Sequence, residues 1–585
     1  MRKVSLLVLC LFSASLTMAP PGQAPKPSSS SLAAFIPAGS LLYIESPDFA
    51  TLVNDWNGSK EKQRWLKSGN YQVFSRSRLF LRLQEAQGQF AVAAGAPPDM
   101  PLLESLAGRE SALAIYDIGN LEFLYITRMT SARAVQNVLW SSREKFEPRK
   151  AADIPYYVRT EPEKNRLVAF ATSGDYLLLA TREDLMAGAL SLLSGRSKVG
   201  LEEESWYKSA VGVAGPSGDL RLVLNLPLLV KSPHFRSYWI ERNASALKQY
   251  SVEVSDLHRS KTEIREDRVL LKANPPQDAA VGVGAGGSAI TELLGMVPAQ
   301  QGIYLAWKDP SSDQVLELLQ QKILMPRAGP GVASPVAPGV VLTPGQAGSE
   351  SDLETRIDVA PLEGAGGALD VDALKRLLDA APLQAVLEFH SLQHAGKPAF
   401  IEPHSAILIR SSTDWDSQAA RDALRAAIRE LWTTSQIGVN WVEHHDGNVD
   451  YYQLEGLVPL AVAAQGPVLL VANSPEMLRS LLGRAPLVPT ANSQSAEAGR
   501  NVVYAAGFRL SAERANIVQM MRLIEMPLPR GNVGLADEQG REPAFFSENL
   551  ASLSQSIESV ESESLVVEDR GPLLVQTATY RLAQK

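Results

Sequence analysis

The apolar positions of this chain fall into short runs separated by turn signals, and two spacings alternate along it. Ser40 to Ile44, Ser111 to Tyr116, Leu121 to Thr127, Tyr156 to Arg159, Leu167 to Thr172 and Tyr176 to Thr181 read as strands. Asp48 to Trp56, Leu79 to Ala94, Ser131 to Trp140 and Arg182 to Leu193 carry helical spacing, with Ser131 placed as a cap. The turn from Thr172 to Asp175, with Gly174 inside it, suits a tight hairpin. Further on, His404 to Arg410, Leu457 to Ala463 and Val468 to Ala472 read as strands. Asp416 to Trp432 and Ser474 to Leu482 read as helices, the first with Ala419, Ala420, Leu424, Ala427, Ile428 and Leu431 on one stripe.

The order of these runs repeats. Tyr176 to Met186 reappears in outline as Val468 to Leu478, and each run follows a glycine two residues earlier, Gly174 and Gly466. Each leads to a Gly-Arg pair, Gly195-Arg196 and Gly483-Arg484. Phe35 to Glu45 resembles Met296 to Ala306, Arg128 matches Arg410, and Tyr156-Tyr157 matches Tyr451-Tyr452. Glu266, Asp267 and Arg268 match Glu568, Asp569 and Arg570. Adjacent strands with tight turns imply antiparallel pairing. The pattern predicts an α+β fold of two homologous repeats, each a mainly antiparallel sheet with helices packed on one face.

The boundaries follow from composition. Residues 34–275 form the first α+β unit, 276–292 a Gly/Ala-rich linker, and 293–585 the second unit. Between Arg327 and Glu350 lie 22 uncharged residues rich in Gly, Pro, Ala and Val. Proline removes backbone donors and glycine costs entropy, so 328–350 reads as a disordered insertion in the second unit. It accounts for the change in spacing between matched positions, from 261 at Pro37/Pro298 to 282 at Arg128/Arg410.

The N-terminus carries an address. Met1-Arg2-Lys3 is basic, and Val4 to Met18 is uncharged and mostly apolar, the charge order of a secretory signal peptide. Residues 1–24 are assigned to it, with cleavage near 19 or 24, and 25–33 is a flexible linker. The sole cysteine, Cys10, lies in this apolar run. A mature chain without it has no disulfide, no thiol catalysis and no cysteine-held zinc. The expected location is the periplasm or cell envelope, or outside the cell. A retained N-terminus would instead give a membrane-anchored assembly factor. Beyond the signal no apolar run reaches spanning length. The 64 acidic and 56 basic residues, net −8, are interspersed, which disfavours nucleic-acid binding.

Candidate chemistry is sparse. Gly282 to Gly287 contains a G-x-G-x-x-G spacing, but no strand precedes it, so it reads as linker. His444, His445 and Asp446 form the densest ligand cluster, with residue types suited to zinc, copper or nickel. Neighbouring histidines on a strand face opposite ways, which sets them against one shared metal. His390 and His394 are spaced as on a helix face, but their surroundings read as strand. Ser142 and Lys145 have the Ser-x-x-Lys spacing without the companion motifs of serine acyl-enzymes. No residue is assigned a catalytic or cofactor-binding role, and no cofactor is expected.

With the duplicated Pro-Ala…Tyr strand and the Tyr176 to Thr181 run, the chain resembles secreted bacterial proteins grouped as domains of unknown function. The resemblance covers most of both halves and implies no activity. The expected function is a non-enzymatic binding or scaffolding protein of the bacterial envelope, with an envelope protein or a hydrophobic ligand as partner. The alternative is a metal-dependent hydrolase using His444, His445 and Asp446.

Overall fold

The structure is a computed structural model of the 585-residue chain. It describes residues 31–59, 78–161, 166–232, 247–260, 262–275, 289–324, 369–394, 401–432, 440–446, 449–455, 459–483, 501–509, 513–516 and 560–582, with scattered positions between 62 and 76. The signal segment 1–24, the G-x-G-x-x-G stretch and the insertion 328–350 lie outside the described residues.

Two compact units emerge. The first takes in residues 1–282, 521–561 and 569–585, and the second 283–520 and 562–568. Strands of the first unit are β1 (Leu42–Ser46), β2 (Ser111–Asp117), β3 (Glu122–Arg128), β4 (Glu147–Ala151), β5 (Ile154–Glu161), β6 (Arg166–Ser173), β7 (Tyr176–Ala180), β8 (Leu220–Asn225), β9 (Tyr250–Arg259) and β10 (Glu263–Lys272). Those of the second are β11 (Gly302–Lys308), β12 (Leu383–His394), β13 (Ile401–Ser411), β14 (Asn440–Asp446), β15 (Val449–Glu455), β16 (Leu460–Gln465), β17 (Val468–Ala472), β18 (Val502–Arg509) and β19 (Val560–Asp569). The last strand, β20 (Leu573–Leu582), returns to the first unit.

In the first unit the strands pair antiparallel in the order β4-β5-β6-β7-β3-β2-β1-β8-β9-β10-β20. In the second the order is β14-β15-β16-β17-β13-β12-β11-β18-β19, again antiparallel. The fold is α+β. The turns are those the sequence signals: Gly174 and Gly466 sit at φ 56° and 54° at the β6–β7 and β16–β17 hairpins, a conformation a side chain disfavours.

The register aligns most of the matched positions. Tyr43 lies between Ala114 and Val223 in the first unit, as Tyr304 lies between Phe389 and Gly507 in the second. Arg128 opposes Tyr176, the first residue of β7, and Arg410 opposes Val468, the first residue of β17. The Glu-Asp-Arg match does not hold. Glu266 to Arg268 lie mid-strand in β10, whereas Glu568 and Asp569 end β19 and Arg570 enters the next turn. The boundary at 585 also shifts, because β20 lies along β10 over nine residue pairs and buries Leu574.

Helices cover both faces of each sheet, where the sequence pattern predicts one. In β6, Ala169 and Ala171 join the core under the helices Glu183–Leu193 and Ser205–Val213. Val168 and Phe170 join a second core with Ala93, Leu102, Leu106 and Leu139. The second unit does the same: Leu387 and Leu408 pack towards the helix Pro475–Leu482, and Val386 and Ile407 towards Ser417–Trp432. Two-sided burial accounts for the unbroken apolar runs, since residues of both parities leave water.

Several helices begin at capping residues: Asp48 accepts from Thr51 N, Asp99 from Leu102 N and Ser474 from Met477 N. The helix expected over Ser131 to Trp140 is two short pieces, Ser131–Ala134 and Val138–Ser141. Asn137 divides them, because its side chain accepts from Trp140 N at 2.9 Å and starts a second cap.

Phe170 is fully buried, its ring stacked on Tyr157 at 5.3 Å and edge-on to Phe146 at 5.1 Å. Phe170→Ala should cost about 3–5 kcal/mol in denaturant unfolding of the first unit. A loss below about 1 kcal/mol would place this ring outside a packed core.

Candidate functional site: polar clusters within each unit

The ligand cluster singled out in the sequence forms the hairpin β14–β15. His444 is in register with Tyr451, His445 with Asp450 and Asp446 with Val449. The His444 ring stacks on Tyr451, centroids 5.0 Å apart and planes 14° from parallel. His445 turns to the other face, with Nδ1 2.8 Å from Asp450 Oδ1. That hydrogen bond and the Asp450 charge raise the His445 pKa. The side chain of Asp446 lies outside the described residues. Among the described residues, no group of three His, Cys, Asp or Glu is placed to hold a metal ion.

His390 and His394 lie on β12, not on a helix. Four residues along a strand separate backbone positions by about 13 Å, too far for one metal. Ser142 donates to the Leu139 carbonyl at 3.1 Å and so caps the end of its own helical turn.

The second unit holds a polar relay that sequence reading missed. His390 Nδ1 lies 2.9 Å from Ser405 Oγ, and His390 Nε2 hydrogen-bonds Glu388. Lys322 Nζ is 3.2 Å from Glu388 Oε1. Burial pushes the Glu388 carboxyl up, but His390 and Lys322 outweigh it and hold the group below its ordinary value. Serine, histidine and carboxylate in series are the parts of an acyl-transfer relay. Here Ser405 is fully buried, its N–H donates to Asn473 Oδ1 at 2.7 Å, and its side chain sits on the strand face that carries Ile407 and Ile409. A nucleophile must meet its substrate, so the arrangement ties β12 to β13 and to residue 322. Only the antiparallel register brings His390 opposite Ser405, which is why spacing along the chain gave no signal.

The first unit holds two buried ionic clusters on opposite faces of one sheet. Arg221 grips Asp256 with two bonds, Nε–Oδ1 2.8 Å and Nη2–Oδ2 2.9 Å. Asp256 also accepts from Gly218 N, and Tyr43 donates to Glu45 at 3.0 Å. Burial raises the pKa of Glu45 against the opposing pull of Arg221 and Tyr43. On the other face, Arg268 Nε lies 3.0 Å from Glu253 and Nη2 2.7 Å from Glu266, which accepts from Ser255 Oγ at 2.6 Å. Burial likewise raises Glu253, with Arg268 opposing. The charged groups answer one another, which fixes strand register more than it offers a ligand site.

The clusters differ between units where the framework agrees. By register, Glu45, Arg221 and Asp256 correspond to Ala306, Ala505 and Val566. Glu388, His390 and Ser405 correspond to Leu113, Ile115 and Phe123. At these six places the polar residues of one unit stand where the other carries apolar ones, whereas Glu253 has a polar counterpart in Glu563.

No protein-family model matches the chain, and no relative was found among curated proteins. Two solved structures of TP0453, crystal forms III and I, resemble it with TM-scores of 0.23 and 0.22 at 11% and 12% identity. Each match covers 43% of this chain, and 84% and 82% of those chains respectively. Likeness at this level carries no argument about fold or activity.

Two outcomes follow from these geometries. Glu388→Gln should destabilise the second unit by about 1–3 kcal/mol near neutral pH. Folded Glu388 binds its proton less readily than the unfolded group, so its contribution is present above the ordinary carboxylate range and lost as pH falls through the folded value. Unfolding curves should therefore show the variant and parent converging in acid; a pH-independent gap would contradict the pairing. Arg268→Met should cost about 3–5 kcal/mol by stranding two buried carboxylates, and the added change Glu253→Gln should restore part of it. Additive losses in the double variant would show that the two groups do not interact.

Proposed function

We propose that the chain is an exported protein of the bacterial envelope that binds or scaffolds rather than catalyses, built from two homologous copies of one α+β module. The carrying observation is a framework held in common without a polar constellation held in common. Strand order and register agree between the units, whereas Glu45, Arg221 and Asp256 of the first unit and Glu388, His390 and Ser405 of the second face apolar residues at the equivalent places of the other. Of the Arg268 cluster, Glu253 has an acidic counterpart in Glu563, but Arg268 corresponds only to Ala578. Catalytic machinery of an ancestral module would leave the reverse pattern. The proposed partner is another envelope protein or a hydrophobic ligand.

Export rests on the basic start and the uncharged apolar run of residues 4–18. Among the described residues no helix is long and apolar enough to cross a membrane. The metal-dependent hydrolase gains no support from the β14–β15 hairpin, where His444 is engaged with Tyr451 and His445 with Asp450.

Expression with the native N-terminus should place the protein in the periplasmic or envelope fraction, with mass spectrometry finding a mature start near residue 20 or 25. Removal of residues 1–24 should retain it in the cytoplasm. Intact Met1 in the cytoplasm of the parent strain would overturn the address. Crosslinking in the envelope fraction should recover a stable partner or lipid, and metal analysis should find no stoichiometric zinc, copper or nickel. Bound metal lost on His445→Ala would replace this reading with the hydrolase.

A further inference from the structure

The pairing of β10 with β20 has a symmetry that the rest of the first unit's sheet lacks. The hairpin spans correspond position by position: β9 at 250–259 and β10 at 263–272, against β19 at 560–569 and β20 at 573–582, a constant displacement of 310. Under that displacement Asp267 is equivalent to Thr577, and these two residues face each other in the ladder. Thr577 Oγ1 donates to Asp267 Oδ1 at 3.1 Å. Every other pair has its mirror. Glu263 opposes Arg581 as Leu271 opposes Leu573, and Ile264 opposes Tyr580 as Leu270 opposes Leu574. A slip of one residue would remove the symmetry and reverse every side chain. Residue i meeting j while j meets i is the signature of an isologous two-fold contact, the form of a homodimer.

We infer that β10 is a self-association edge, a strand built to pair antiparallel with its own copy in a second molecule, and that the C-terminal strand β20 occupies this edge in cis. This rests on the duplication proposed above. The residues of β10 suit such pairing. About the same dyad, Glu266 of one copy opposes Arg268 of the other, twice, and Leu270 opposes Ile264 twice. Opposite charges across a ladder favour pairing. The sole like-charged pair would be Asp267 against Asp267, and β20 supplies Thr577 at that place. An unpaired edge strand offers a row of backbone donors and acceptors to another chain, and β20 satisfies them within the molecule.

The test uses the chain in a Cys10→Ser background, intact, ended after Gly571, or full-length with Thr577→Pro, which removes a ladder donor mid-strand. Sedimentation should give the two altered chains twice the mass of the intact one. A synthetic peptide of residues 572–585 should return the shortened chain to the intact chain's association state. Asp267→Cys should yield a disulfide-linked dimer of the shortened chain and none of the intact chain. Asp267→Thr should tighten the dimer by about two- to five-fold. The inference is overturned if the altered chains keep the intact mass, if they unfold and the peptide does not restore them, or if the dimer forms without the crosslink at 267. Those results remove the self-pairing alone; the duplication falls only if an experimental structure shows the two strand series failing to superpose.

Discussion

Covering the sheet on both faces is the constraint from which the remainder of each unit follows. A strand such as β7 or β17 has no side exposed to water, so residues of both parities must be apolar and every backbone donor must be laddered. Unbroken apolar runs of this kind usually mark parallel sheets held under crossover helices. Here tight turns with a left-handed glycine force the chain straight back, and the same two-sided burial is reached with antiparallel neighbours.

Polar side chains inside such a structure have little freedom. A buried charge without a partner is far costlier than a buried methyl group, so each one must be answered locally. Arg221 with Asp256, Arg268 with Glu253 and Glu266, and Glu388 with Lys322 and His390 are three such answers. The two units solve the same packing problem at different places, and this difference separates framework from chemistry. Around Arg268 two carboxylates share one guanidinium, and burial raises the pKa of Glu253 against the pull of Arg268.

The sequence made the central strands legible because their signals are local. Gly174 and Gly466 mark the hairpins, and apolar runs mark β6, β7 and β17 within a residue or two. The two-helix break at Asn137 was hidden because an asparagine inside apolar spacing still looks helical until its side chain is seen to cap. Strands β8, β9 and β10 were obscured by the charges they carry: Arg221, Glu253, Asp256, Glu266 and Arg268 read as surface until their partners on neighbouring strands are known. The second helical face escaped for a related reason, since periodicity states that a residue is buried but not against what. The His390–Ser405 contact depends on register across fifteen residues, whereas the His444-His445 pair is legible because it is contiguous in the chain.

Amide hydrogen exchange, resolved to individual strands, tests the shared two-sided framework most directly. The slowest amides should lie in β3 and β7 of the first unit and in β13 and β17 of the second, with β4 and β14 exchanging faster at the sheet margins. Protection confined to one unit, or greatest in β4 and β14, would contradict the architecture described.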